Sequence, residues 1–156
     1  MAWLKKIVVR DFRNIQLAEL KFSPNINCIS GNNGEGKTNL MDAIWYLSMT
    51  KSAFSSSDRY NFRHGSNSFS LSGTYAMENG TDSRFSISVE DGGAKKLRRD
   101  DKPYAKVSDH IGVLPVVMVS PSDISLVSES GEERRRFTNA VLSQMDHAYL
   151  TDIQQY

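Results

Sequence analysis

Alternating apolar and polar positions predict two β-hairpins in the first part of the chain. The first spans residues 3–22 and turns at residues 11–14, where polar side chains interrupt the β-prone run. The second places apolar residues opposite serine and threonine over residues 68–77 and 85–90, with Asn79-Gly80 as a tight turn between them. A further strand is expected at residues 95–99. Strands with one apolar face are typical of an antiparallel sheet that exposes its other face to water.

Other apolar runs predict helices and fully buried strands. Leu40, Ile44 and Leu47 recur at helical spacing after a short apolar strand at residues 27–30, where Cys28 is expected to be a buried packing residue. The unbroken run at residues 116–119 is typical of a strand buried on both faces. A short helix or turn is expected from residue 108. The chain then ends in helix, beginning at a Ser130–Glu133 capping box and interrupted near Asp146-His147.

A glycine-rich segment lies between the apolar strand and the first helix. Residues 31–38 read Gly-Asn-Asn-Gly-Glu-Gly-Lys-Thr and fit the G-x-x-x-x-G-K-[ST] pattern of the phosphate-binding loop. Glycines let successive backbone N–H groups turn inward and form a concave nest for an anion. Strand, glycine-rich turn and amphipathic helix are the context that this motif requires, so a turn that binds nothing is the weaker interpretation.

The loop predicts the binding of ATP with Mg²⁺. Lys37 is expected to reach the β- and γ-phosphates, and the Thr38 hydroxyl to ligate Mg²⁺. The free N–H groups and dipole of the following helix attract anions further. The expected nucleotide-binding residues of the loop and the first helical turn are Asn32, Asn33, Gly34, Glu35, Gly36, Lys37, Thr38 and Asn39. Arg13 is in a turn close to this site and is a further candidate, but from the sequence alone a solvated turn residue is the favoured interpretation.

Composition narrows the class of protein without naming a partner. At 156 residues the chain is expected to form one domain, with room for two lobes. The net charge of +1 argues neither for nor against nucleic acid. One cysteine excludes an intrachain disulfide framework and suits a reducing cytoplasm. No stretch is long enough and apolar enough to span a membrane.

Several polar segments offer further phosphate contacts beside simpler interpretations. The stretch of residues 95–106 has six basic side chains against two acidic ones and is the best candidate for a DNA backbone contact, although a charged surface hairpin explains it equally. Residues 50–66 form a serine-rich loop with Lys51, Arg59, Arg63 and His64, for which solvent exposure is the simpler explanation. Ser120 and Asp123 follow a predicted strand and are candidates for Mg²⁺ contacts, but helix capping is favoured.

These residues, taken in order, resemble the N-terminal part of the RecF family, bacterial recombination-repair ATPases related to the ABC, SMC and Rad50 heads. The resemblance covers the whole chain and rests on residues 9–14, 22–24, 31–40, 119–123, 133–137 and 142–146. It implies an α/β P-loop NTPase of ABC/SMC-head type, incomplete, with an antiparallel β-sheet portion. Two positions depart from the usual family pattern, since Ser122 replaces an acidic residue and Asp42 stands where glutamate is usual.

The resemblance implies a role in recombinational DNA repair, replication restart and the SOS response. Members bind ATP with Mg²⁺, dimerise on ATP binding, hydrolyse it slowly with DNA present and act at gaps or single-strand/double-strand junctions. They associate with RecR-like partners and help to load RecA in the cytoplasm. The likeness of the Phe12-Arg13-Asn14 turn to Rad50-like heads raises the expectation that Arg13 approaches the phosphates.

Two features of this family are missing from the sequence. No serine-glycine-glycine signature occurs, and no apolar strand after Thr38 ends in two acidic residues. Residues 1–156 are therefore expected to be the N-terminal ATP-binding lobe of a larger head, with no catalytic residue of its own and almost no hydrolysis alone. The alternatives are another SMC- or Rad50-like ATPase, a P-loop kinase, or a DNA-binding module that needs no nucleotide.

Overall fold

The computed structural model describes residues 2–124 and 131–155, except the side chain of Ser122. The chain divides into two compact units, Met1–Ala105 and Lys106–Tyr156. The first is a sheet with one helix, and the second is mainly helical. In the described residues no helix is both long and apolar enough to cross a bilayer.

An antiparallel sheet of six strands forms the first unit. Its strands are β1 (Trp3–Phe12), β2 (Ile15–Lys21), β3 (Ser68–Ala76), β4 (Asp82–Glu90), β5 (Lys96–Arg99) and β6 (Lys102–Pro103). Their order across the sheet is β2-β1-β3-β4-β5-β6. Both predicted hairpins and the strand near residues 95–99 are confirmed. The sequence did not predict β6, or that β1 pairs with β3 across the intervening helix.

The apolar face of the sheet forms the core because its register aligns the buried positions of successive strands. Val9 pairs with Leu71, Leu71 with Ile87, and Ile87 with Leu97. Helix α1 (Lys37–Met49) contacts β1, β3 and β4. The rings of Phe12, Tyr46 and Phe69 meet edge to face, with centroids 5.1 to 6.1 Å apart. This packing fixes α1, and with it the preceding loop, against the sheet.

The segment after α1 is irregular, as predicted, and is held by side chains. It contains a short 3₁₀ turn at Asp58–Asn61. Asp58 accepts a hydrogen bond from the buried Tyr46 hydroxyl at 2.6 Å and pairs with Lys95 at 3.1 Å. Lys95 also donates to the carbonyl of Thr50, which is the C-cap residue of α1. The connection therefore runs along the edge of the core rather than away from it.

The second unit contains helices α2 (Gly131–Met145) and α3 (His147–Gln155). They are separated at Asp146, as predicted, and the Asp146 carboxylate accepts the Ala148 N–H at the start of α3. Short 3₁₀ turns occur at Val107–His110 and Pro121–Ile124. Gln144 on α2 exchanges two hydrogen bonds with the backbone of Val116. The predicted capping box lies partly outside the described residues, since Ser130 is not among them.

Two predicted strands are wrong for this structure. Residues 27–30 and 116–119 form no strand, and Val117 and Val119 are 69% and 76% exposed. Cys28 is also exposed, whereas the sequence placed it in a buried strand. The pattern of a strand is present in both segments, but neither has a neighbouring strand among the described residues to complete its hydrogen bonds.

Candidate functional site

The glycine-rich segment forms an open loop that leads directly into α1. Gly31, Gly34 and Gly36 all have positive φ, at 154°, 84° and 101°, which lets the backbone curl around a concave surface. α1 begins at Lys37, and its N-cap residue Gly36 makes no side-chain cap bond. The first N–H groups of the helix are therefore left for another acceptor, as a phosphate site requires.

The Lys37 side chain folds back over the loop. Its Nζ donates to the carbonyl oxygens of Gly31 and Asn32, at 2.6 and 2.7 Å. The ammonium is therefore held against the backbone at the start of the loop by two carbonyl acceptors. Nothing lies within 4 Å of the position that a Cβ on Gly34 would occupy, so the loop is open at its tip.

The Glu35 carboxylate clasps the start of the loop. It accepts the backbone N–H of Asn32 at 2.8 Å and the Asn32 side-chain amide at 2.9 Å. These two hydrogen bonds, helped by the charge of Lys37, hold the pKa of Glu35 below its ordinary value. This pair of hydrogen bonds between Glu35 and Asn32, called the clasp below, spans the first turn of the loop and fixes its curvature.

The turn between β1 and β2 is tied to the loop by Asn14. Its Nδ2 donates to the Gly34 carbonyl at 2.9 Å, and its Oδ1 accepts the Asn39 side-chain amide at 2.7 Å. Asn39 is in the first turn of α1, so one asparagine joins the tip of the loop to the helix that follows it. The hairpin turn thus acts as an outer wall of the loop.

Arg13 lies beside this wall, with its guanidinium directed toward α1. Its terminal nitrogen Nη1 donates to the Asn39 side-chain oxygen at 3.3 Å, and Nε donates to that of Asn61 at 3.3 Å. The other terminal nitrogen, Nη2, donates to the Ser52 hydroxyl at 2.9 Å and forms an ion pair with Asp42, also at 2.9 Å. The Arg13 side chain is 20% exposed. It is therefore held inside a polar cluster instead of extending into solvent.

The structure brings the predicted site residues together around one hollow. Residues 32–39 form the loop and first helical turn, and Arg13 reaches them through Asn39. Sequence reasoning assigned no role to Asn14 or Asp42, and it did not select Ser52 or Asn61. A signal existed for Asp42 alone, because a charged residue amid the apolar positions of an amphipathic helix requires a partner.

Some of the other side chains predicted to contact phosphate or Mg²⁺ form ion pairs or hydrogen bonds within the chain, and others do not. Lys95, Lys96 and Arg99 form ion pairs with acidic neighbours. Arg98 and Lys102 form none with any described residue. Arg63 lies 3.7 Å from Asp11, and the Asp123 carboxylate accepts the Ser120 N–H, which fits the capping interpretation. The described residues contain no group of three His, Cys, Asp or Glu side chains able to hold a metal.

Comparison with known proteins places this loop and sheet in a family. Residues 6–148 match the AAA domain family. The chain belongs to the AAA domain family. It is 42% identical to the DNA replication and repair protein RecF of Phocaeicola vulgatus over 153 residues, covering 98% of the chain and 41% of that relative. The protein of the same name from Porphyromonas gingivalis is also 42% identical, with 42% of its length covered.

Solved structures agree with the sequence relatives. A structure described as the recombination mediator protein RecF with ATP matches 99% of the chain at a TM-score of 0.90 and 28% identity, covering 43% of that protein. A structure from a study of SMC ATPases matches 89% of the chain at a TM-score of 0.73 and 18% identity. The predicted likeness to the N-terminal part of RecF is confirmed. The predicted fold, a partial P-loop domain of ABC/SMC-head type, is also confirmed.

Proposed function

We propose that the chain is the N-terminal ATP-binding lobe of a larger head in a DNA replication and repair ATPase. The observation that carries this proposal is the open phosphate-binding loop, joined to α1 and walled by the Arg13-Asn14 turn. The names of the relatives and the ATP-bound structural neighbour support it. Because the chain spans only 41% of the first of those relatives, the activity of a whole protein belongs to the proposal too.

The loop residues have separate roles in holding a triphosphate. The backbone N–H groups of Gly34, Gly36 and the first helical turn bind phosphate oxygens, since no side chain caps that turn. When the nucleotide binds, the Lys37 ammonium exchanges its two loop carbonyls for β- and γ-phosphate oxygens. The negatively charged phosphate oxygens compensate the charge of the ammonium better than neutral carbonyls do. Asn32, Asn33 and Glu35 shape the loop, and Asn39 links it to Arg13.

The hydroxyl of Thr38 suits a Mg²⁺ that arrives with the nucleotide. Thr38 follows Lys37 on the first turn of α1, and its hydroxyl forms no hydrogen bond with a described side chain. Mg²⁺ favours few protein ligands and retains water and phosphate oxygens. A single hydroxyl therefore fits better than a carboxylate cage, which the described residues also lack. The bound ion would neutralise phosphate charge.

Binding of a fluorescent ATP analogue tests the nucleotide assignment. Lys37→Ala is expected to weaken the affinity of the chain by at least about tenfold, because a charge-assisted contact to phosphate is lost. Lys102→Ala is the matched control, since it removes an exposed lysine from β6, away from the loop. Equal affinity of the Lys37→Ala variant and the original chain would refute the assignment.

The two apolar segments that pair with no strand among the described residues support the view that this lobe is completed by further chain. Residues 27–30 and 116–119 have the pattern of buried strands, yet Ile26 and Val119 beside or within them are 92% and 76% exposed. Exposed unpaired segments of this kind favour self-association. We expect the chain alone to associate with itself in sedimentation velocity and to release almost no ADP. A monomer that hydrolyses ATP at a steady rate would contradict this view.

In the whole protein, ATP-dependent dimerisation and DNA binding are proposed to act together. The relatives are DNA replication and repair proteins, and the sheet presents Arg98 and Lys102 without ion-pair partners among the described residues. These cations suit a DNA backbone near gaps or junctions. Association with RecR-like partners and loading of RecA belong to the same proposal. The alternative is another SMC- or Rad50-like ATPase.

Arg98→Ala in the whole protein tests the DNA contact. It is expected to reduce the slope of log affinity against log salt by about one, as loss of one phosphate contact does. Lys21→Ala, an exposed lysine on the opposite edge strand, is the control and should leave that slope unchanged. A P-loop kinase would instead release ADP in proportion to an added acceptor, which the proposed function does not require.

A further inference from the structure

Asp42 is a buried carboxylate with no place in the phosphate-binding motif. Its side chain is fully buried on α1, one turn after Thr38 and Asn39. It accepts the Ser52 hydroxyl and the Ala53 N–H, both at 2.8 Å, and it forms an ion pair with Arg13 at 2.9 Å. A buried charge is costly unless it is paired and hydrogen-bonded, and here both conditions are met.

The partner of Asp42 is held in one orientation. Arg13 has a left-handed backbone, with φ of 52°, which a non-glycine residue adopts only where its surroundings fix it. Its backbone N–H donates to the Asn61 carbonyl at 2.8 Å, and Nε donates to the Asn61 side chain. Asp42 and Ser52 both contact Nη2.

The other terminal nitrogen faces the loop. Nη1 has two hydrogens and donates one to Asn39, whose amide also contacts Asn14. The second hydrogen of Nη1 has no acceptor among the described side chains. Asn39 follows Thr38 in the first turn of α1, so the contact with Asn39 places Nη1 at the end of the guanidinium nearest the phosphate-binding motif.

We propose that Asp42 is a positioning residue for Arg13, holding Nη2 so that Nη1 is presented to the bound nucleotide. The inference rests on the proposed function, because it gives Arg13 a phosphate to contact. An arginine free in a turn would lose side-chain rotamer entropy on binding. The Asp42 and Ser52 contacts impose that order before the nucleotide arrives, which is preorganisation of the site.

A double-mutant cycle on ATP affinity tests this arrangement. Arg13→Ala is expected to weaken binding of a fluorescent ATP analogue about tenfold, as loss of a charged hydrogen bond does. Asp42→Asn keeps the size of the side chain and removes its charge, and a loss of about fivefold is expected from coupling of this kind. In the double variant the two losses should not add, because Asp42 acts only through Arg13.

Losses of ATP affinity that add in the double variant would overturn the inference. If Asp42 only anchors Ser52 and Ala53, Asp42→Asn will weaken ATP binding by the same factor whether or not Arg13 is present. Asp42→Glu, which retains the charge, should restore part of the affinity. Lys37→Ala separates this inference from the proposed function, since an unchanged affinity there refutes nucleotide binding in the loop. A loss with Lys37→Ala and none with Arg13→Ala refutes the positioning role alone.

A second readout is independent of whether Asp42→Asn folds. Ser52→Ala removes one of the two groups that hold Nη2 and leaves the Asp42 carboxylate in place. In a ¹⁵N spectrum of the free chain, the Arg13 Nε–H signal should be slow to exchange in the original chain and faster in the Ser52→Ala variant. The variant should also bind the ATP analogue more weakly. Unchanged exchange and affinity in that variant would contradict the claim that the Ser52 and Asp42 contacts together order Arg13 before the nucleotide arrives.

Discussion

Gly36→Ala tests whether the β1–β2 turn supports the phosphate-binding loop by direct contact. Gly36 has φ of 101°, and a Cβ added there would lie 2.7 Å from the Asn14 side-chain oxygen. Gly34 has a similar φ of 84°, but an added Cβ would meet nothing within 4 Å. The two substitutions therefore share the backbone penalty and differ in one steric contact.

The magnitude follows from what each substitution disturbs. A left-handed backbone costs an L-residue about 1–2 kcal/mol, and this penalty applies to both positions. At Gly36 the methyl group also displaces Asn14, which gives up its hydrogen bonds to the Gly34 carbonyl and the Asn39 amide. Each is worth about 1 kcal/mol. We expect Gly36→Ala to lower the free energy of unfolding by about 2 kcal/mol more than Gly34→Ala does.

Urea unfolding followed by tryptophan fluorescence is the assay. Trp3 is on β1 and Trp45 is on α1, so both report on the first unit. In an Asn14→Ala background, the additional cost of Gly36→Ala should disappear, because the oxygen that it strikes is gone. Equal free energies of unfolding for the two glycine variants would refute the reasoning.

Three further predictions concern the core, the connection after α1 and the loop clasp. Phe12→Ala empties a fully buried site against Phe69 and should lower the free energy of unfolding by about 3–5 kcal/mol in the same assay. Lys95→Met removes the ammonium group that contacts the Thr50 carbonyl and the Asp58 carboxylate, and it should lower the free energy of unfolding by about 1–3 kcal/mol. The pKa of Glu35 is lowered in the folded chain, so its hydrogen bonds to Asn32 should be fully formed at pH values above the ordinary pKa of a glutamate. These bonds should be lost as the pH falls through the lowered pKa. An NMR titration of the Glu35 carboxyl carbon checks this, and Asn32→Ala should raise the midpoint; an unchanged midpoint would contradict it.

Local patterns predicted the local parts of the fold. Side chains alternate in β3 and β4 within nine residues each, and α1 follows from spacing along a single helix. The pairing of β1 with β3 joins segments separated by α1 and a long connection, and no pattern within either strand specifies it. The strands expected at residues 27–30 and 116–119 failed for a related reason, since a strand requires a partner that lies elsewhere in the chain.

The candidate site shows the same difference between features that are local in sequence and contacts between distant residues. The loop is a contiguous motif, so its residues and their context were accessible from the sequence. Its supports are distant, since Asn14 contacts Gly34 across 20 positions and Arg13 contacts Asn61 across 48. Only folding brings these side chains together, which is why Asn14 and Asp42 were given no role beforehand. The position of Arg13 beside the loop was expected from family resemblance and not from its own sequence neighbourhood.

Backbone amide shifts on addition of a non-hydrolysable ATP analogue with Mg²⁺ test the central claim most directly. The account predicts the largest ¹⁵N–¹H changes at residues 32–39, smaller ones at Arg13 and Asn14, and none at β5 and β6. The same titration of the Lys37→Ala variant should show these changes only at much higher concentration. Shifts that avoid the loop, or that are the same in the two proteins, would contradict the claim that this hollow binds a triphosphate.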